Sequence, residues 1–452
     1  MTAALPARVT PTTPLDALPV RRDAAVRALA AAALGAGLLF VASMWVADGG
    51  LVDLGGSGLT SLGRLTGLGA EMLLLAQVLL LVRIPLLEDA YGRDRLVVAQ
   101  RIVGLASVDL MSAHLVLAAW GHAAGRSLTS PAVLLALVAT LALVVVLIAG
   151  IWAARHRLHR GSWRLLPLYA GLGLGLAIPY QLWTGQGPLD RGWARAAWWG
   201  LWAACLAAVL CWRLALPLWR SAYHRVRVAA VVPEGDGVVS VYLTGRRLDR
   251  LAHAGQFLVW RLLGRPGRSG GTPYSLSAAP TESSMRITVG VSGPRGASLA
   301  ALRPGSKVLV EGGYGRLSHR PRTRPKVAFI GAGVGLAPLR ALAEQMPYAP
   351  GEAVMVERYG DRPLFADELD RLGDARGLRV VRIGGARRAA DSWVGSGYDT
   401  YDDVQVLRGW IPDIAERDVY VCGPPGWTRS VRRAALAAGL PADRFHDETV
   451  SH

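Results

Sequence analysis

The sequence predicts a three-part chain, in which a bundle of six membrane-spanning helices precedes an antiparallel β-barrel and a doubly wound α/β domain. Three observations lead to this fold class. Six apolar runs lie in the first 220 residues, and each reaches the length of about 20 residues that a helix needs to cross a bilayer. Short β-rich runs separated by glycine and proline follow them. After Pro325, strand-like and helix-like runs alternate, as in a parallel sheet covered by helices.

Composition agrees with a membrane protein of more than one domain. The chain has 452 residues, of which 52% are hydrophobic, and a net charge of +17; its mean hydropathy is +0.30. Because the arginines cluster between apolar runs, we interpret the charge as a topology signal rather than as a nucleic-acid surface. The three cysteines form no C-x-x-C motif, which argues against a zinc or iron–sulfur site and against a disulfide framework.

The predicted boundaries follow from these shifts in composition. Residues 1–23 form a disordered tail, 24–220 the membrane domain, 221–323 the barrel and 324–452 the α/β domain. The six predicted spans are residues 24–47, 59–87, 101–122, 131–154, 163–183 and 194–218.

Arginine is distributed unevenly between the predicted loops. The loops after the second, fourth and sixth spans carry Arg93 and Arg95, the cluster at 155–160, and the cluster at 220–227. The loop at 48–58 has neither lysine nor arginine, and the loop after the third span has only Arg126. The loop after the fifth span is less clean, with Arg191 and Arg195. Since positively charged loops stay in the cytoplasm, this pattern places both termini and the C-terminal half there.

The barrel region contains a run that suits a flat ring system. The sequence GTPYSLSAAP, at residues 271–280, lies between strand-like runs at 256–263 and 285–289. Its Tyr274, Ser275 and Ser277 place an aromatic ring and two hydroxyls where a strand ends. Such a group can stack on a flavin and donate hydrogen bonds to it, although an ordinary turn has the same composition.

Two further motifs follow in the α/β region. The sequence GAGVGLAPLRAL, at 331–342, comes directly after the apolar strand-like run 327–330 and opens a helix, which is the context of a phosphate-binding glycine turn. The sequence VYVCGPP, at 419–425, is expected to end the last strand of the chain, with a cysteine at its carboxyl end.

These three motifs, in this order, resemble those of the ferredoxin–NADP reductase family, from about Tyr223 onward. Together with the apolar half, the chain resembles the ferric reductase and NADPH oxidase superfamily, in its actinobacterial ferredoxin reductase-like branch. The resemblance implies FAD in the barrel, NAD(P)H in the α/β domain, and a multi-pass protein of a bacterial plasma membrane with its reductase domains in the cytoplasm.

For the flavin, the resemblance implies that Tyr274 stacks on the ring, Ser275 lies near its reactive nitrogen and Ser277 lies near the phosphates. The complete run comprises Thr272, Pro273, Tyr274, Ser275, Leu276 and Ser277; a second phosphate contact is expected from Gly296, Ala297 and Ser298. Thr272 stands where the family usually has an arginine. Its absence removes a charge-assisted contact of about 1.5–3 kcal/mol, and a barrel that has lost its cofactor is the alternative.

For the nucleotide, the resemblance implies a backbone cradle and a cysteine beside the reactive carbon of the nicotinamide. The cradle comprises Gly331, Gly333, Gly335 and Pro338, and Cys422 is followed by its turn residues Gly423, Pro424 and Pro425. Arg358 would favour the 2′-phosphate of NADPH, whereas the preceding Glu357 would favour the ribose hydroxyl of NADH. The alternatives are a plain strand–helix turn and a structural cysteine.

Haem binding is doubtful. The superfamily normally has two haems, each held by histidines on two helices, 13 or 14 residues apart on each helix. Those positions fall on Gln100, His114, Pro167 and Tyr180, of which only one is histidine. His114 is therefore a possible remnant of a haem position. At the C-terminus, Val450 occupies the expected place of an aromatic residue that covers the flavin.

Three functions remain open from sequence. The leading hypothesis is a haem-free membrane flavoenzyme that passes electrons from NAD(P)H through FAD to a ferric chelate, a ferredoxin, a haem protein or dioxygen. The second is electron transfer across the membrane through haem. The third is a non-catalytic membrane scaffold for a redox partner.

Overall fold

A computed structural model of the chain describes residues 18–54, 58–82, 84–91, 93–123, 191–235, 237–262, 271–291, 294–315, 317–318 and 321–449. By their internal contacts the residues fall into two compact units. One unit comprises 27–84 and 94–211, and the other comprises 1–26, 85–93 and 212–452. The predicted spans at 131–154 and 163–183 lie outside the described residues.

Four long helices are described in the apolar half, where residues 124–190 lie outside the described part of the chain. Its elements are α1 (Leu18–Ala47), α2 (Gly50–Asp53), α3 (Gly58–Leu81), α4 (Pro85–Tyr91), α5 (Arg93–Ala123), α6 (Gly192–Val209) and α7 (Leu216–His224), with a π-helical turn, Leu210–Ala215, between the last two. Three described segments, Asp23–Ala47, Gly58–Leu81 and Gly192–His224, are long and apolar enough to cross a membrane. These three segments support a membrane-spanning half, whereas the predicted number of six spans stays a prediction.

The helix boundaries differ from the predicted ones at three points. Helix α1 begins at Leu18, inside the region predicted as a disordered tail. The second predicted span ends at Leu81, and Pro85 opens the separate helix α4, as proline at a first turn does. Helix α5 covers the third predicted span and includes Arg93 and Arg95, which were expected in a loop.

A buried carboxyl lies between α3 and α6. The Nε1–H of Trp198 donates a 2.9 Å hydrogen bond to Oε2 of Glu71, and both residues are buried. The surrounding apolar cluster comprises Val41, Met44, Leu68, Met72, Ala194 and Trp198. A polar contact inside an apolar bundle satisfies a group that would otherwise be costly to bury.

Helices α3 and α5 approach closely through small residues and side-chain contacts to the backbone. Nδ1 of His114 lies 2.7 Å from the carbonyl oxygen of Gly63, and its ring packs over Gly67. The hydroxyl of Ser107 donates to the carbonyl oxygen of Ala70 at 2.9 Å. His114 is thus hydrogen-bonded within the bundle. Since a carbonyl only accepts, the proton of the neutral ring is on Nδ1.

The haem expectation remains a prediction. Gln100 and His114 lie on α5, whereas Pro167 and Tyr180 lie outside the described residues. Among the residues that are described, no group of three or more histidine, cysteine or acidic side chains is arranged to hold a metal ion.

The barrel consists of two three-stranded antiparallel sheets. Its strands are β1 (Arg227–Gly235), β2 (Val238–Thr244), β3 (Phe257–Leu262), β4 (Thr272–Ser275), β5 (Ser284–Gly290) and β6 (Val308–Tyr314), with helix α8 (Pro294–Ala300) before β6. The sheet orders are β1-β2-β5 and β4-β3-β6. Isolated bridges, Arg227 to Lys307 and Leu276 to Ile287, connect the two sheets. Five strands match the β-rich runs; β4 is the TPYS run itself, which the sequence suggested as a turn.

The α/β domain is a five-stranded parallel sheet of order β11-β10-β7-β8-β9, covered on both faces. Its elements are β7 (Val327–Ala332), α9 (Leu336–Gln345), β8 (Ala353–Arg358), α10 (Ala366–Arg376), β9 (Arg379–Ile383), α11 (Asp403–Trp410), β10 (Asp418–Gly423), α12 (Pro425–Ala437) and β11 (Phe445–Thr449). The prediction that 419–425 ends the last strand is wrong, because β11 follows and pairs with β10. Its five residues are too few and too polar to show a strand signal.

Asp418, at the start of β10, stabilises the segment that connects the barrel to the α/β domain. Its Oδ2 accepts hydrogen bonds from the backbone N–H groups of Thr323 at 2.7 Å and Arg324 at 2.6 Å. Its Oδ1 lies 2.8 Å from Nε2 of His446. Burial alone would raise the pKa of Asp418, but the hydrogen bonds from His446 and Thr323 outweigh it and lower the pKa.

Gly67→Ala is expected to destabilise the α3–α5 pair, and His114→Ala to relieve much of that loss. A Cβ at Gly67 would lie 2.7 Å from Nδ1 of His114, and overpacking of this kind costs about 1–3 kcal/mol. Thermal unfolding of the purified protein in detergent, followed by circular dichroism, measures both effects. Additive losses in the double variant would contradict the close contact.

Asp418→Asn is expected to speed amide exchange at Thr323 and Arg324 about tenfold or more at pH 7, because hydrogen bonds to a charged group contribute about 1.5–3 kcal/mol. The lowered pKa means that this stabilisation is present above the unfolded pKa of about 3.9 and is lost as pH falls below it. Hydrogen-exchange mass spectrometry of peptides covering 321–327 measures the ratio of variant to wild type at each pH.

The exposed Asp374, changed to asparagine, provides the control. A variant-to-wild-type ratio for Asp418→Asn that does not shrink in acid would show that the Asp418 charge is not what holds the connection.

Candidate flavin and nucleotide site

The glycine turn lies between β7 and α9, at the carboxyl edge of the parallel sheet. Its three glycines serve different purposes. A Cβ on Gly335 would lie 2.4 Å from the carbonyl oxygen of Cys422, and one on Gly331 would lie 2.9 Å from Leu336. These two glycines are required by packing. Gly333 has φ +54° and nothing within 4 Å of its Cβ position, so its backbone is the part of the turn that a phosphate can approach.

Pro338 lies inside α9 and is buried. It is the third residue of the helix, a position whose N–H has no partner within the helix, so proline is tolerated there.

Cys422 lies at the carboxyl end of β10, beside the glycine turn. It pairs in register with Gly331 of β7 and with Glu448 of β11. Burial raises the pKa of the Cys422 thiol well above its usual range, and the charges of Glu448 and Asp447 raise it further. The thiol is therefore neutral at physiological pH, which suits a positioning group rather than a nucleophile.

The residues after Cys422 turn the chain into α12. Gly423 is the last residue of β10, and a Cβ there would lie 2.7 Å from the Trp427 ring. Pro424 caps α12 and Pro425 is its first residue. Proline at the first turn removes an N–H that would have no helical partner. The predicted CGPP turn is thus present in the structure.

Arg358 and Glu357, at the end of β8, are both engaged by the protein itself. The guanidinium of Arg358 donates to the backbone carbonyls of Tyr359, Ile383 and Gly385. Burial, and then the charge of Arg387, lower its pKa. Oε1 of Glu357 accepts from the N–H of Leu364 at 2.5 Å, and burial raises the pKa of Glu357 to about 7. Their predicted nucleotide-selecting roles stay predictions.

The first four residues of the flavin run form the edge strand β4, and they are partly accessible to solvent. Thr272, Tyr274 and Ser275 are half-buried and Pro273 is exposed. The ring of Tyr274 packs on the barrel core with one part left accessible. Such a ring can stack on a flat cofactor.

The end of the run turns inward. Leu276 and Ser277 are fully buried. The Ser277 hydroxyl accepts from Thr288 at 2.8 Å and from Nε of Arg286 at 3.1 Å. In this arrangement Ser277 holds the barrel together, and its predicted phosphate contact is untested.

The predicted second phosphate contact lies on α8. A Cβ on Gly296 would lie 2.2 Å from the carbonyl oxygen of Gly290, so packing against the end of β5 requires this glycine. Ala297 is exposed, whereas the side chain of Ser298 is buried. Their roles toward a flavin stay predictions.

Sequence reasoning missed several charged residues around this site. Glu448 is opposite Cys422, and Arg286, Arg340, Glu344 and Glu368 surround the chain that follows Ser275. The arginine inside the apolar run MRITVG is the one signal that could have found the set, since a charge in a buried strand needs a buried partner.

Comparison with known proteins points to the same half of the chain. Residues 329–433 match the family model described as the oxidoreductase NAD-binding domain. Residues 329–433 therefore form an oxidoreductase NAD-binding domain, and the C-terminal half as a whole is similar to reductases. The predicted enzyme class is confirmed at this level.

Two relatives and one solved structure illustrate the similarity. A flavohemoprotein of Chromobacterium violaceum is 27% identical over 251 residues, which are 50% of this chain and 60% of the relative. A glycine betaine monooxygenase reductase subunit of Pseudomonas aeruginosa is 24% identical, over 51% of this chain and 65% of the relative. The FAD/NAD-binding domain of a nitric oxide dioxygenase from Vibrio cholerae is 24% identical, over 50% of this chain and 98% of that domain, with a TM-score of 0.39.

The match covers less than two thirds of either curated relative, 60% of one and 65% of the other. It also covers about half of this chain, so the apolar half has no counterpart in these alignments.

Gly335→Ala and Gly333→Ala are expected to have different effects. Alanine at 335 meets the Cys422 carbonyl and should cost about 1–3 kcal/mol by overpacking. Alanine at 333 meets open space and should cost about 1 kcal/mol through its left-handed φ, yet weaken NAD(P)H binding by covering the open backbone. Thermal unfolding in detergent and titration with NADPH and NADH separate the two, and tight binding to the Gly333 variant would contradict the approach at that residue.

Proposed function

We propose that the chain is a membrane-anchored flavin reductase, which takes electrons from cytoplasmic NAD(P)H and passes them to an acceptor. The observation that carries the proposal is the register of β7 and β10, which puts the open turn at Gly333 beside Cys422. A nucleotide held at this turn has its phosphates over an approachable backbone and a neutral thiol nearby. The match to the oxidoreductase NAD-binding domain supports it.

The residues of the barrel fit a flavin. Tyr274 offers a partly accessible ring, and Ser275 offers a partly accessible hydroxyl on the same edge strand. When bound, FAD accepts two electrons together from NAD(P)H and releases them singly. Thr272, in the place of a phosphate-pairing arginine, predicts weaker binding than the family norm by about 1.5–3 kcal/mol.

The chain's own contribution is placement rather than acid–base chemistry. Tyr274 would orient one ring, Gly333 would receive phosphate, and Cys422 would lie beside the reactive carbon without an ionised sulfur. A neutral thiol is a poor nucleophile, so it would not add to the electrophilic ring of the oxidised nicotinamide.

We propose a cytoplasmic orientation for this module, in a multi-pass protein of a bacterial plasma membrane. Three described helical segments are apolar and long enough to span, and the arginine clusters at 155–160 and 220–227 fall on one side of the predicted spans. The acceptor is then a cytoplasmic ferric chelate, a ferredoxin, a haem protein or dioxygen.

Haem-dependent transfer across the membrane is the second candidate, and His114 favours it. Because its Nδ1 carries the proton toward Gly63, Nε2 is the nitrogen with a lone pair. A histidine ligand whose other ring nitrogen donates to a carbonyl is a common arrangement in metal sites.

The test uses detergent-purified protein, its visible spectrum before and after dithionite, and NAD(P)H oxidation with ferricyanide. We expect a broad flavin band that bleaches and turnover that depends on NAD(P)H. Tyr274→Ala should weaken flavin retention by about 1 kcal/mol, roughly fivefold in Kd, whereas the exposed Tyr401→Ala should not.

A colourless protein that ignores added FAD and NAD(P)H would overturn the proposal and favour a scaffold. Sharp Soret bands that shift on reduction would instead support the haem route.

A further inference from the structure

We propose that two buried arginines and two half-buried glutamates fix the flavin run against the helix that follows the nucleotide turn, and so set the geometry between the two cofactor sites. The residues, named here the charge clamp, are Arg286, Arg340, Glu344 and Glu368. They act as positioning residues. The inference rests on the proposed function, because it concerns how the two sites are aligned for it.

The barrel contributes Arg286, which is 4% exposed. Its guanidinium makes a bidentate contact with Glu368 of α10, at 2.6 and 2.9 Å. It also donates to the carbonyl oxygen of Ser277 at 2.9 Å. One side chain of β5 therefore joins the residue that ends the flavin run to a helix of the other domain.

The α/β domain contributes Arg340 and Glu344, one turn apart on α9. Arg340 is 2.7 Å from Glu368 and 2.6 Å from Glu344, and it donates to the carbonyl oxygen of Ser277 at 3.2 Å. Oε2 of Glu344 accepts from the N–H of Ala279 at 2.7 Å. The segment 277–279 is thus held from both domains.

The clamp is balanced, with two positive and two negative charges. Burial alone would raise the pKa of Glu368, but the hydrogen bond from Arg286 and the charge of Arg340 outweigh it and lower the pKa. Glu368 and its partner Arg286 are therefore both charged at neutral pH. Apolar side chains would fill such a space at least as stably, so a buried ionic cluster is better explained by the fixed geometry of forked contacts than by stability.

Phe365 adds a second observation at the same place. It precedes α10 with a left-handed backbone, φ +59°, and its ring lies 4.9 Å from the guanidinium carbon of Arg286. A bulky residue rarely adopts this conformation without compensation. The contact between the Phe365 ring and Arg286 compensates for this backbone conformation. The turn at Phe365 brings both this ring and Glu368 to the charge clamp.

The clamp is close to both sites along the chain. Ser277 follows Ser275 by two residues, and Arg340 follows Gly335 by five along α9. Few bonds can rotate between the clamped atoms and the flavin run or the nucleotide turn. A shift of about 1 Å in alignment can cost roughly 100-fold in rate, so a loosened clamp should slow turnover more than it weakens binding.

The test compares Glu368→Gln, Arg340→Lys and a matched control. Glu368→Gln keeps shape and removes charge, and Arg340→Lys keeps charge and removes the fork. Asp370→Asn, on the same helix, breaks an exposed pair with Arg382. Hydrogen exchange of 276–282 is measured on flavin-free protein, and kcat, KM and the long-wavelength charge-transfer band with NAD(P)H on flavin-loaded protein.

Both clamp variants should speed exchange in 276–282 about tenfold, since each breaks a charged hydrogen bond. They should also lower kcat about tenfold or more, with KM for NAD(P)H within about threefold, and weaken the charge-transfer band. Asp370→Asn should change none of these. If Glu368→Gln fails to fold, Arg340→Lys decides.

Unchanged exchange, or a kcat equal to that of the control, would overturn the clamp. A wild-type protein without turnover would instead count against the proposed function, and the exchange result would still show whether the clamp holds the segment.

Discussion

The close approach of the glycine turn to the end of β10 is the constraint on which the rest of the catalytic half depends. Because β7 and β10 are adjacent and parallel, their carboxyl ends meet at one edge, and Gly331 pairs with Cys422. The carbonyl of Cys422 then occupies the space that a side chain at 335 would need. The glycines of the motif are thus divided between packing, at 331 and 335, and access, at 333.

This division matters for the chemistry. A turn built only for phosphate would tolerate small side chains at some of its positions, whereas this turn cannot move away from Cys422 without breaking the sheet. The phosphates of a nucleotide bound at this turn would therefore be positioned by the same backbone that positions the neutral thiol. Alignment at this edge is a property of the fold itself.

The second domain has to be aligned by side chains, because no sheet runs through both. The ion pair between Arg286 of β5 and Glu368 of α10 does this with a short, forked contact. Arg340 and Glu344 of α9 add hydrogen bonds to the segment 277–279 of the barrel. An apolar interface would permit small sliding motions at little cost, whereas a bidentate pair between a buried arginine and a half-buried glutamate has one favourable geometry. Charged contacts at this point, rather than apolar packing, therefore align the barrel with the α/β domain.

Sequence periodicity predicted most of the catalytic half. Apolar runs such as 327–330 and 419–422 have the hydrophobicity of strands buried on both faces, and the glycine turn and the CGPP turn lie where the motifs indicated. Periodicity did not predict β4, because Pro273 makes its sequence resemble a turn. It did not predict β11 either, because the polar residues of that strand show no hydrophobic alternation. The clamp was also missed, since its members are up to 82 residues apart and only tertiary structure unites them.

In the apolar half, sequence prediction is limited for a different reason. The described helices there pack through small residues and polar contacts to backbone carbonyls, as helices in lipid do. His114 to Gly63, Ser107 to Ala70 and Cys205 to Leu75 are all of this type. A polar residue in a span is therefore as well explained by helix packing as by a cofactor. The two explanations differ at Nε2 of His114: helix packing uses only Nδ1, toward Gly63, whereas a haem would be bound through Nε2.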